Sequence, residues 1–233
     1  QRFEECEATY RRVLEKWPDY SDAHFYVAMS RYQRQDYDGA IDAWYAHSQT
    51  NRENLLQMLA GNAELHVPIL RYVIDQCAAK ALDEEAPQPQ YNLHATFLAE
   101  LRRDVDPTSW RHHNDLGFFA LEAGKFLRER DREGDAAYAV KLFEQSRAAY
   151  EEAVRLAPEM PHLPNDLAVV LHYYLERDYE RAMSLYQRSL ARANELLAAG
   201  GLDAEMQLFA ETALDDATLN IAALEKKLEG DGH

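Results

Sequence analysis

Glycine and proline are scarce in this chain, nine and eight among 233 residues, and the turn-dense stretches that a sheet protein needs between short strands are missing with them. No segment alternates apolar and polar residues with a period of two, which excludes a strand-rich fold. Cysteine is scarcer still. Cys6 and Cys77 stand alone and neither belongs to a CxxC pair, so a disulfide framework is excluded and both read as small core residues. Basic residues are outnumbered, 25 Lys and Arg against 41 Asp and Glu, for a formal charge of −16. Such a surface disfavours nucleic acid as a partner, because phosphate binding draws on clustered Lys and Arg. A basic or apolar partner suits it better, and the remaining acids keep outer helix faces in water. No apolar run reaches the ~18 residues of a bilayer span, and no basic-then-apolar leader opens the sequence. Those features, with so few cysteines, favour a cytoplasmic setting and no direct membrane insertion.

Catalytic signatures are missing as well. There is no GxSxG, no glycine-rich phosphate loop, no HExxH and no cysteine with an evident histidine partner. The densest group of potential ligands is His112-His113 with Asp115. Adjacent residues on a helix point about 100 degrees apart, so these two histidines cannot readily share a metal. Paired acids such as Glu84-Glu85 and Asp215-Asp216 fall in a linker and on a helix exterior. We expect no catalytic residue, no metal and no cofactor.

What the chain has is helix-forming and bulky: 47% apolar residues, with 14 Tyr, eight Phe and three Trp, in a background of Ala, Leu, Glu and Arg. It also repeats. Phe3-Glu-Glu-Cys6 and Tyr10 return as Tyr37-Asp-Gly-Ala40 and Trp44, each shifted by 34 positions. Downstream, Phe143, Ser146 and Tyr150 are echoed by Tyr179, Ala182 and Tyr186 at a shift of 36, and Asn114-Asp115-Leu116-Gly117 recurs as Asn165-Asp166-Leu167-Ala168. Helices that cross closely need small residues at the crossing and large ones beside it. Ala28 with Ala40, Gly117 with Ser146 and Ala168 with Ala182 supply the small pairs; Tyr37, Trp44, Phe143, Tyr150, Tyr179 and Tyr186 supply the bulk. Pro18 and Pro158 stop helices, each marking a boundary.

In period and landmarks the sequence resembles the tetratricopeptide-repeat family. The resemblance implies an all-α, right-handed solenoid of antiparallel helix pairs, here irregular, with about 10–11 helices in a single domain over 1–233. Residues 1–18 read as the second helix of a truncated repeat, so that Phe3, Tyr10, Leu14 or Trp17 should be exposed or covered by another copy. Residues 19–51 form a clean repeat, and 52–107 a degenerate helical segment with helices near 53–61, 65–82 and 91–104. Residues 108–158 form a repeat lengthened by about 17 residues and joined near Gly134. Another repeat follows over 161–200, then a capping helix over 202–229.

The resemblance also implies a function: a scaffold that binds a protein or peptide segment within a larger assembly, on the concave face lined by the first helix of each pair. Carried over position by position, that face holds Asp22, Phe25, Met29 and Tyr32, then Arg111, Asn114, Phe118 and Leu121, then His162, Asn165, Val169 and His172. Asparagine can pair with both groups of an extended peptide backbone, while Phe, Met and Tyr offer apolar pockets. Phe25 and Met29 stand where a carboxylate clamp would need Lys and Asn, so an apolar or basic segment is the expected ligand. Two alternatives stay open: a homo-oligomer built through the N-terminal end or the long helices, and a regulatory or catalytic helical domain with a histidine-based site around His112 to Asp115.

Overall fold

The computed structural model describes residues 2–230, which form ten α-helices and, among the described residues, no strand. The helices gather into two compact units, residues 1–106 and 107–233.

The first unit contains α1 (Arg2–Lys16), α2 (Ser21–Gln33), α3 (Tyr37–Ala60), α4 (Ala63–Ala81) and α5 (Tyr91–Val105). α1 stops just before Trp17-Pro18, where the proline ring forbids continuation. α3 starts where the Asp36 side chain accepts the Gly39 N–H at 3.0 Å, capping the first turn. α2 and α3 pack as an antiparallel pair in which Ala28, Ala40 and Trp44 are fully buried. At Asn51 the backbone of α3 leaves helical angles (φ −159°, ψ 87°), and the Asn51 side chain restarts the helix by accepting the Asn54 N–H at 3.0 Å. The break falls at the sequence boundary between the clean repeat and the degenerate segment. α4 and α5 then form a second antiparallel pair with Leu70, Ile74, Ala95, Leu98 and Ala99 inside, and Arg52 ties α3 to α5 through Asp104 at 2.6 Å and Glu100 at 3.0 Å.

The second unit contains α6 (Trp110–Arg130), α7 (Asp135–Leu156), α8 (His162–Val169), α9 (Tyr179–Ala199) and α10 (Ala204–Gly230). α6 and α7 are the lengthened pair, turned by Asp131 and Gly134 in left-handed backbone conformations (φ 47° and 84°) and fastened by a bidentate Arg130–Asp135 bridge. At their crossing the Ser146 hydroxyl donates to the Gly117 carbonyl at 2.7 Å, and the Tyr150 ring lies where a Gly117 side chain would be: a Cβ there would sit 2.9 Å from it. A Cβ on Gly124 would lie within 2.4 Å of the buried Phe143 ring. α9 meets the start of α8 in the same manner, its buried Ser189 donating to the Pro161 carbonyl at 2.7 Å. α8 runs into a π-helical turn, Val170–Tyr174, with the Leu175 N–H reaching back five residues to the Val170 carbonyl at 2.9 Å. Glu176 and Asp178 follow in left-handed conformations (φ 49° and 53°). Ala168, Ala182, Tyr186 and Leu224 complete the core where α8, α9 and α10 meet.

Candidate binding face

In the first unit the face expected on α2 begins with Asp22, half-buried, and continues through Phe25, which is almost fully buried. Phe25 presents its ring edge-on to His66 and His47 (centroids 5.4 and 6.4 Å), so it packs the core and offers nothing to a ligand. Met29 and Tyr32 are half-buried. Tyr32 belongs to a trio with Tyr37 and Tyr72, the ring centroids 5.5 to 6.3 Å apart. The Tyr37 hydroxyl donates to that of Tyr72 at 3.2 Å, and this bond, helped by burial, pushes the Tyr37 phenol up to about 12. Charges around the trio are matched. Burial alone would raise the Asp38 carboxyl, but Lys80 at 2.9 Å and the Tyr91 hydroxyl outweigh it and hold it below its ordinary range.

In the second unit the geometry is governed by α10. Its Glu205 receives a bidentate pair from Arg111 of α6 at 2.8 and 2.7 Å. Its Phe209 lies against His162 (4.2 Å), and Trp110 neighbours both rings (5.8 Å from His162 and 6.4 Å from Phe209). Burial, with Arg111 nearby, pushes the His162 imidazole down to about 4, so it is neutral. Asn165 is 3% exposed, and its carbonyl oxygen accepts from the Asn220 amide at 3.1 Å. Val169 packs with Ile221 on the cluster around Ala168 and Leu224, and His172 is buried beside Tyr173 and Tyr186. Leu121 is buried too. What stays open is on α6: exposed Arg111, half-buried Asn114, and Phe118, 40% exposed. The buried Asn114 Oδ1 has no donor.

Two acids that the repeat pattern marks only weakly also belong here. Asp166, half-buried on α8, has its carboxyl pushed up to about 7 by burial, which the Asn165 amide 3.5 Å away offsets only in part and Asp216 of α10 reinforces. Asp216 is itself raised by partial burial and by Asp215. Asp166 repeats Asp115 at the 51-residue shift of the Asn-Asp-Leu motif, a signal that was available; Asp216 and Asn220 lie in a helix with no repeat partner and carried none. The His112-His113 step is absorbed structurally: both rings are buried, and His113 Nε2 meets the Pro107 carbonyl at 2.9 Å. Among the described residues no three His, Cys, Asp or Glu side chains come together as metal ligands.

A family profile described as tetratricopeptide repeat matches residues 1–53 and 132–196, together half of the chain. A search of curated proteins finds no match. Among solved structures, MamA is similar at 11% identity with a TM-score of 0.41, over 87% of this chain and 88% of its own. A monomeric mutant of IFIT1 with m7Gppp-AAAA is similar at 14% identity and 0.46, over 99% of this chain and 60% of its own. Yeast Tom70 is similar at 15% and 0.32, over 97% and 52%.

Proposed function

The chain belongs to the tetratricopeptide-repeat family, and from that premise we propose that it binds an extended segment of a partner protein along the first-helix face of its helix pairs, as a scaffold without chemistry of its own. The observation that carries the reading is on α6. Phe118 is left 40% exposed one turn from Asn114, whose buried side-chain oxygen has no donor. An aromatic ring in water and an acceptor without a donor are both costs that a bound segment removes, the first by burial and the second by an N–H. Met29 and Tyr32 offer the corresponding apolar contacts in the first unit. Phe25, Leu121, Asn165 and His172, being buried, support the face from behind.

The test is a peptide selected from a random display library against the whole chain, followed by fluorescence anisotropy. Phe118→Ala should weaken binding by about tenfold or more while leaving the melting temperature nearly unchanged, since the ring is a contact in the complex and half-solvated without it. Unaltered affinity in both Phe118→Ala and Tyr32→Ala would sink the reading.

A second reading, self-association, is favoured by one feature. Phe3 and Trp17 of the α1 end are 46% and 61% exposed, large apolar surfaces that another copy could cover. Sedimentation of the chain and of Trp17→Ala across a hundredfold concentration range decides it; a mass that stays monomeric throughout removes it.

A further inference from the structure

Covering the α8–α9 pair requires a helix packed on those two alone, yet α10 also reaches back to α6, one pair earlier. On the way it meets the expected face positions one after another. Glu205 takes the bidentate pair of Arg111, Phe209 lies over His162 with Trp110 beside both, Asn220 donates to Asn165, and Ile221 packs with Val169 on the core cluster. A helix so placed stands where a bound segment would stand.

Its first half fits that place poorly and is lightly held. The Phe209 ring covers His162 without supplying a hydrogen bond, and among the described residues the buried Nδ1 of that imidazole has no partner. Four of the 27 residues of α10 are buried, Ala210, Ala213, Ala217 and Leu224, against ten of the 21 in α6. Leu224 anchors the second half in the core beside Tyr186. The first half fully buries only the methyl groups of Ala210 and Ala213, and its ion pair with Arg111 is exposed on both sides, where such pairs hold little. Gly200 and Gly201, which lead into it, lie in left-handed conformations (φ 66° and 70°) with no described atom within 4 Å of where a Cβ would be, so no packing fixes that turn. An element with so few buried contacts opens locally at low cost, and a ligand that gives His162 the missing hydrogen bond binds the opened form better.

Resting on the binding face argued above, we propose that α10 is an intramolecular occupant of that face, an autoinhibitory strap whose first half, 204–214, lifts from Arg111 and His162 when a partner segment seats on the second unit.

The experiment pans the random display library on the full chain and on Phe209→Ala, and measures the selected peptides by fluorescence anisotropy against the parent, Phe209→Ala and Glu205→Arg. Freeing the strap should tighten binding, about tenfold in Phe209→Ala and about threefold in Glu205→Arg, since apparent affinity scales with the fraction of molecules already open. Glu205→Arg reverses an exposed charge opposite Arg111 and leaves the core intact, so it carries the test should Phe209→Ala fold poorly. Hydrogen exchange read by mass spectrometry is the second measure: saturating peptide should speed exchange in 204–214 while slowing it in α6. Binding no tighter in Glu205→Arg, or exchange in 204–214 no faster in the complex, overturns the inference. The face itself then stands, provided that Phe118→Ala still weakens the peptide. Binders to Phe209→Ala alone support the strap in its strongest form; none to either chain sinks face and strap together.

Discussion

Where α2 packs on α3, Ala28, Ala40 and Trp44 are all fully buried; where α6 crosses α7, Gly117 gives its carbonyl to Ser146 and the space of its absent side chain to Tyr150. The polar surroundings differ in parallel. Around Tyr32, Tyr37 and Tyr72 of the first unit the acids are paired, whereas Asp166 and Asp216 of the second are left to each other. A crossing sealed by methyl groups tolerates its neighbours being adjusted, while one sealed by a ring against bare backbone has no slack. Charge differs in one respect: the first unit pairs Asp38 with Lys80, and the second, which likewise pairs Asp135 and Glu144 with arginines, keeps Asp166 in reserve without one.

That comparison breaks most visibly at the glycines. Gly117→Ala and Gly124→Ala should each destabilise the second unit by about 1–3 kcal/mol, because the buried Tyr150 and Phe143 rings cannot retreat from the added methyl, even though alanine is the better helix former. The reverse swap in the first unit, Ala28→Gly, should cost about 1 kcal/mol through lost helix propensity and a small void. Denaturant melts followed by hydrogen exchange, which separates the units, measure both; equal costs in the two units would erase the distinction.

A smaller effect concerns the reserved acid. Asp166 binds its proton more tightly folded (about 7) than unfolded (3.8). Its contribution is therefore fully present below pH 4 and is lost as pH rises through 7. Asp166→Asn should accordingly be more stable than the parent by about 1–2 kcal/mol at pH 8, the difference shrinking towards pH 5. His162 titrates oppositely, its neutral form favouring the fold above its unfolded value of 6.5 and that contribution falling away as pH drops towards 4, but it is common to both proteins and cancels. Asp38→Asn in the first unit should show the contrary sign, since Lys80 holds that carboxylate ionised. Thermal melts at pH 5 and 8 give the answer. Smallest of all, Arg111→Ala should change stability by less than about 1 kcal/mol, its bidentate pair with Glu205 being exposed on both sides.

The helices themselves were legible in the sequence because proline, capping residues and small-residue crossings act locally. The breaks at Pro18, Gly134 and Pro158 fall where the residues place them. The face was less so. His172 was carried over to it from the position of Tyr32, a correspondence that holds only while the helix keeps 3.6 residues per turn. The π-turn that begins at Val170 widens the spiral, and His172 ends against Tyr186. Nor could α10 be foreseen as a wall. Glu205, Phe209, Asp216 and Asn220 reach α6 and α8 through side chains in a helix that repeats nothing else in the chain, so no internal comparison marks them. Phe25 and Leu121 failed for a plainer reason, since a first-helix position serves groove or core according to a rotation of a few tens of degrees that periodicity does not resolve.

The π-turn has a further bearing on how such a chain can change over time. From Ala28 to Ala40 is twelve positions; from Ala168 to Ala182 is fourteen, and between the latter two lie the turn at Val170–Tyr174 and the left-handed Glu176 and Asp178. The surplus has been taken up within a coiled stretch of helix and its exit, leaving Ala168 and Ala182 in contact in the core. An inserted residue need not lengthen a loop or push neighbouring helices apart; it can be wound in, at the cost of redirecting the side chains that follow. A gene encoding this array can thus gain or lose a codon within a helix and keep its stacking, while presenting a different set of residues on the helix surface.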